Sequence, residues 1–152
     1  MADRPAVLSV QDLTVDFETS EGTVNVLDHV SFELGEGEML GLLGESGAGK
    51  SVLADAILRL IPEPPGKIGG KVLLYGTDLL QLTEAELSQI RGKQIAMIFQ
   101  DPTSALNPVF RVGHQVAEPM EIHLNLGRRS ALQTVVDIFR RVGIPSPESR
   151  VA

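Results

Sequence analysis

Eight residues constrain this chain more than any others. Gly44-Glu-Ser-Gly-Ala-Gly-Lys-Ser51, GESGAGKS, follows the apolar run MLGLL and precedes the helical pattern VLADAILRL. It matches G-x-x-x-x-G-K-[ST], in which successive backbone N–H groups form an anion nest at a helix N-terminus whose dipole also favours phosphate. Gly44, Gly47 and Gly49 allow close approach and backbone dihedrals that a Cβ would penalise. Lys50 is placed to reach β- and γ-phosphates, and the Ser51 hydroxyl to ligate Mg²⁺. Glu45, Ser46 and Ala48 complete the turn. A turn of this kind sits between a buried strand and a helix, which sets an α/β expectation for the fold.

The periodicities around it change in an informative order. AVLSVQDLTVDF alternates as a half-buried strand does, a turn follows at Ser20-Glu-Gly22, and TVNVLDHVSFEL reads as its antiparallel partner. The helix AGKSVLADAILRLI is expected to run to the Pro62-Glu-Pro-Pro-Gly66 loop, which cannot continue it. GGKVLLYG reads as a short strand. Thr83-Glu-Ala-Glu86 fits a capping box opening the helix TEAELSQIR, closed by Gly92, and QIAMIFQ reads as a wholly apolar strand of the buried parallel type. After the loop DPTSALNP come two helical stretches, roughly VGHQVAEPMEIHL and SALQTVVDIFRRVG.

Composition excludes several classes. With 43% hydrophobic residues the 152-residue chain has enough apolar surface for one globular core, and no apolar run approaches the length of a membrane span. The first residues, MADRPAVLSVQ, hold no signal-peptide pattern. Zero cysteines exclude disulfides and thiolate metal sites, which fits a reducing cytoplasm. A net charge of −7 argues against a broad nucleic-acid footprint. The pairs Arg128-Arg129 and Arg140-Arg141 read as solvated faces, Glu84 and Glu86 as helix N-terminal charges, and Glu118 with Glu121 lacks a partner nucleophile for acid–base work.

From Val7 onward the chain resembles the ATP-binding cassette (ABC) ATPases, in which an antiparallel β-layer precedes the P-loop and holds an aromatic residue against adenine. Phe17, at the end of LTVDF, occupies that place. The second anchor is IAMIFQDPTSALNP. In this family a strand ends in a glutamine, here Gln100, whose side-chain oxygen approaches Mg²⁺ and the attacking water and whose loop responds to the membrane partner. A neutral amide suits that task, because it accepts from water and coordinates a hard cation without adding charge. The longer pattern through IPEPPGKIGGKVLLYGTDLLQLTEAELSQIRGKQIAMIFQDP and LNPVFRVGHQVAEP is similar to the oligopeptide/dipeptide/nickel importer branch. There the loop usually reads Asp-Pro-Met-Thr-Ser-Leu-Asn-Pro; here it is Asp101-Pro-Thr-Ser-Ala-Leu-Asn-Pro108.

The resemblance implies an α/β P-loop NTPase of the ABC type: a β-layer and P-loop strand over 1–43, a partial RecA-like core over 44–100, and the start of a helical subdomain over 101–152. It implies ATP and Mg²⁺ as ligands, with Ser51 and Gln100 at the metal. It implies integral-membrane permease subunits and a second ATPase subunit as partners, and a peripheral place on the cytoplasmic face of the membrane. The family's signature motif, Asp-Glu strand, D-loop and switch histidine are not in these 152 residues: no Asp-Glu dipeptide occurs, and His29, His114 and His123 all precede the switch position. The chain is therefore expected to be an N-terminal part, inactive alone. Alternatives are a non-catalytic ATP-binding module from a truncated gene, a soluble cassette protein of repair or translation, and a small P-loop kinase.

Overall fold

A computed structural model describes residues 6–101 and 105–151, which divide into two compact units, Met1–Leu87 and Ser88–Ala152. The first is built on a hairpin. β1 (Ala6–Thr19) and β2 (Gly22–Gly35) pair antiparallel around Ser20 and Glu21, with Val10 opposite Phe32, Val15 opposite Leu27 and Phe17 opposite Val24. Alternation places Leu8 and Val10, then Leu13 and Val15, in the core, so the inward parity switches midway along β1. A bulge absorbs the extra residue: Asp12 takes φ 47°, and its N–H donates to Ser31 Oγ at 2.8 Å. Gly70, at φ 91°, passes so close to the Asp12 carbonyl that any Cβ there would collide with it.

β3 (Gly66–Leu74) pairs with the other edge of β1, and the two-residue β4 (Thr77–Asp78) pairs with β3, giving the order β2-β1-β3-β4. α1 (Lys50–Ile57) buries Leu53 and Ala56 against β1 and β2. The helix stops one turn earlier than the periodicity of VLADAILRLI suggests. Leu60 N–H donates to Asp55 O at 2.8 Å and Arg59 N–H to Ala56 O at 3.0 Å, a Schellman closure with Arg59 at φ 52° where glycine is usual. The Arg59 guanidinium donates to Leu82 O and stands 3.9 Å from the Glu84 carboxylate, tying the end of α1 to the segment that opens the next helix.

The expected capping box opens α2 (Glu84–Ile90): Thr83 N–H and Oγ–H donate to Glu86 Oε2 at 2.8 and 2.7 Å, and Glu86 N–H donates to Thr83 Oγ at 3.4 Å. The Thr83 hydroxyl and then its N–H hold the Glu86 carboxyl below its ordinary pKa. In the second unit α3 (Val112–Leu124) and α4 (Arg128–Arg141) form a helical hairpin closed by the one-turn α5 (Pro147–Arg150). Ala117, Ala131, Val135, Val136, Phe139 and Val151 make its core. Gly113 lies under Val151 with no room for a side chain.

Two expectations are corrected. The run Met39–Leu43 is in no strand, and neither is the run ending in Gln100. Met39 and Leu43 are 94% and 95% exposed, and Ile98 96%, where buried parallel strands were expected. The reason is physical: an interior strand needs a hydrogen-bonded neighbour on each edge and apolar cover on both faces, whereas among the described residues Met39–Leu43 pairs with no strand and the run ending in Gln100 has only the isolated bridge between Arg91 and Ile95. Uncovered apolar segments of this kind template association between chains. The 152-residue chain is accordingly expected to self-associate as concentration rises, and Leu40→Lys with Leu42→Lys to suppress it. Sedimentation velocity over a concentration series is the check; a parent chain that stays monomeric throughout would refute the expectation.

Candidate functional site

The loop from Gly44 to Ser51 folds as its glycines require. Gly47 and Gly49 take φ 84° and 83°, in the left-handed region that side chains disfavour. Ala48 N–H closes a tight turn on Glu45 O at 3.2 Å, and Gly49 becomes the N-cap of α1, with its carbonyl accepting the first helical bond from Leu53 at 2.8 Å. Gly49 is glycine for a second reason. It is buried against β2, where a Cβ would stand 2.9 Å from Leu27 Cδ2 and 3.2 Å from Val26 O. The end of the loop is thus seated on the hairpin.

The start of α1 carries positive potential with nothing of the opposite sign beside it in the helix. No side chain caps its N-terminus and no acidic residue lies in its first turn, so no side chain of the helix offsets its leading N–H groups or the positive end of its dipole. Lys50 Nζ donates across the loop to Gly44 O at 2.8 Å and to Glu45 O at 2.5 Å. The Ser51 residue is exposed, as are Gly44, Glu45, Ser46, Gly47 and Ala48. Nothing lies within 4 Å of where a Gly47 Cβ would be, so the loop is open on that side. The donor set is a backbone nest, one ammonium and one hydroxyl, which suits a polyphosphate with a hard cation.

Phe17 stands half-buried at the end of β1, between Val24 on β2 and Gly66 on β3 in the sheet register. Val24 lies two residues along β2 from Val26, against which Gly49 rests, which puts the aromatic row roughly 7 Å along the strand from the seat of the loop. Val24 and Gly66 join this row through the cross-strand register, a signal that is not local. Gln100 is exposed and belongs to the second unit, whereas the loop and Phe17 belong to the first. Of the loop after it, Pro102, Thr103 and Ser104 lie outside the described residues. Its far side is held by Gln115, whose Oε1 accepts from Asn107 N–H at 2.8 Å and whose Nε2 donates to Asn107 O and Phe110 O at 2.9 and 3.0 Å. Among the described residues no three His, Asp or Glu side chains converge as a metal site.

Comparison with known proteins adds to this geometry. The family model described as ABC transporter matches residues 27–152. The chain is 45% identical over 146 residues to the oligopeptide transport ATP-binding protein OppD of Bacillus subtilis, covering 95% of this chain and 41% of that protein. It is 45% identical to the probable peptide ABC transporter ATP-binding protein y4tR of Sinorhizobium fredii, covering 95% of this chain and 44% of that protein. The chain therefore spans less than half the length of these relatives. Among solved structures, the dimeric bacterial ABC transporter cassette MJ0796 superposes with a TM-score of 0.71 at 19% identity, over 91% of this chain and 58% of that one, a likeness of fold.

Proposed function

This chain belongs to the ABC transporter family, and on that premise we propose that it is the MgATP-binding N-terminal part of the ATPase subunit of a peptide importer. The observation that carries the reading is the seated loop: two left-handed glycines, a helix N-terminus with no side-chain cap, and Lys50 Nζ held across the loop at the Gly44 and Glu45 carbonyls. The solute class rests on relatives named for oligopeptide and peptide transport. In the complete subunit, ATP binding and hydrolysis drive uptake, on the cytoplasmic face of the membrane. No helix among the described residues is long and apolar enough to cross a membrane; attachment is assigned to permease subunits, and a second ATPase subunit completes the pair.

In this reading the boundaries are 1–43 for the β-layer and the segment leading to the loop, 44–100 for the nucleotide core, and 101–152 for the start of the helical subdomain. Bound ATP supplies the transferable γ-phosphoryl group. The backbone N–H groups of the loop would orient the phosphates, Lys50 would neutralise them, and Ser51 would ligate Mg²⁺; Gln100, in the other unit, is assigned to the same ion by the family resemblance alone. Phe17 offers its ring to the base.

The reading is tested by thermal denaturation. Ligand at a hundred times its Kd stabilises a protein by about 2.7 kcal/mol, so saturating MgATP should raise the melting temperature by several degrees in a concentration-dependent way. No shift at millimolar MgATP would sink it. The kinase alternative is addressed separately, by incubating the chain with MgATP and a panel of phosphoryl acceptors and assaying for phosphorylated product; transfer to any of them would replace the transport reading.

A further inference from the structure

We propose that Gly66 is a positioning residue for nucleotide-base recognition: its lack of a side chain lets the Pro62–Gly66 loop close on the end of β1 and hold the Phe17 ring in its stacking position. The proposal deepens, and rests on, the reading of Phe17 as the base platform.

Space, not backbone conformation, demands glycine here. Gly66 is buried and its φ lies outside the left-handed region, so an alanine would meet no dihedral penalty. A Cβ would nevertheless collide with Ile61 Cγ2, and would stand 2.9 Å from Pro62 O and 3.4 Å from Phe17 Cε1. Neither of the first two contacts yields cheaply. One is backbone, and the other is the short branch of a residue only 8% exposed. The remaining freedom belongs to the half-exposed ring and to the loop itself.

Ring and loop are also joined through the main chain. Glu18, the residue after Phe17, donates its N–H to Pro65 O at 2.9 Å, and Gly66 N–H donates to Pro62 O at 2.9 Å. A loop pushed outward by an added methyl therefore draws the end of β1 with it. Across the sheet the row reads Val24, Phe17, Gly66, and directly paired residues share a face. The ring is flanked by a half-exposed valine on one side and by no side chain on the other. Such a platform takes a flat, apolar-faced ligand, and stacking of this kind is tolerant of which base is presented. The expected discrimination is between a nucleoside triphosphate and a triphosphate without a base.

The experiment measures MgATP and magnesium tripolyphosphate affinities for the 152-residue chain and for Phe17→Ala, Gly66→Ala, Ile61→Ala and the Phe17→Ala/Gly66→Ala double variant, below the concentration of self-association. Stacking on an aromatic side chain contributes enough for roughly a five- to hundredfold change in affinity. The parent is expected to prefer ATP. Phe17→Ala and Gly66→Ala should each lower the ATP-to-tripolyphosphate preference at least about fivefold while tripolyphosphate affinity stays within about twofold, because the phosphate loop is untouched. Ile61→Ala, which loosens the wall, should lower it less, and the double variant should lose no more than Phe17→Ala alone. A merely destabilising change would lower both affinities together and leave the ratio intact. If Phe17→Ala lowers the preference but Gly66→Ala and Ile61→Ala do not, this inference is overturned and the platform reading stands. If Phe17→Ala changes nothing, both fall. Should Gly66→Ala bind neither ligand, Ile61→Ala alone decides.

Discussion

Replacing Lys50 with alanine is expected to weaken MgATP binding by roughly ten- to a hundredfold. A hydrogen bond to a charged group contributes about 1.5–3 kcal/mol, and each 1.4 kcal/mol is about a factor of ten in affinity. The Lys50 ammonium donates to the Gly44 and Glu45 carbonyls, so binding exchanges loop carbonyls for phosphate oxygens and gains the difference between a dipole and a charge. The same contact staples the loop, so the substitution also frees its first residues. Lys50→Arg should not restore affinity fully, because a planar fork cannot occupy the place of a compact ammonium. Titration calorimetry with a non-hydrolysable analogue decides the matter, with circular dichroism to confirm the fold. Equal affinities for the variant and the parent would remove the phosphate reading of this loop.

The second large effect is an absence of turnover: the 152-residue chain should release phosphate from MgATP no faster than its Lys50→Ala variant. In-line attack on a γ-phosphate is accelerated by positioning and by electrostatic stabilisation supplied from separate segments. In the proposed reading Lys50, Ser51 and the loop amides would hold the leaving group and metal, and Gln100 would help to place water. A carboxylate pair to support Mg²⁺ and polarise the water has no Asp-Glu dipeptide in this sequence to supply it. Each missing electrostatic group costs about 3–4 kcal/mol of barrier, or roughly 10²–10³ in rate. Phosphate release measured side by side is the check. Robust turnover abolished by Lys50→Ala would show that another residue among these 152 serves as the base.

Signals that act within a few residues are legible in this sequence, and those that depend on pairing between distant segments are not. The hairpin was legible because alternation and turn chemistry act within a few residues, and α3 begins and ends where VGHQVAEPMEIHL predicts. The capping box was legible for the same reason. The end of α1 was hidden, because the usual signal is a glycine after the last turn and here Arg59 takes the left-handed conformation with its guanidinium anchored at Leu82. MLGLL and QIAMIFQ have strand-forming composition, but pairing is a property of two segments, and composition reports only one. The site divides along the same line. The phosphate loop is contiguous and its residue types state their task. Phe17 is legible only through family resemblance, and Val24 and Gly66 emerge only once β1, β2 and β3 are in register.

The seat of Gly49 on Leu27 and Val26 also bears on the order in which the chain folds. Hairpins close in about 1–10 µs, and β1 and β2 are separated by only Ser20 and Glu21, whereas parallel pairings must first close long loops and form slowly. The foot of the nucleotide loop therefore has its docking surface from the earliest stage of folding. Pulse-labelled hydrogen exchange should find the Leu53 amide, bonded to Gly49 O, protected in the same phase as the β1–β2 ladder; protection in a later phase would mean that the loop waits for the rest of the core. A loop assembled this early is available to a bound nucleotide before the fold is finished, so that in the proposed reading the ligand would also act as a folding template.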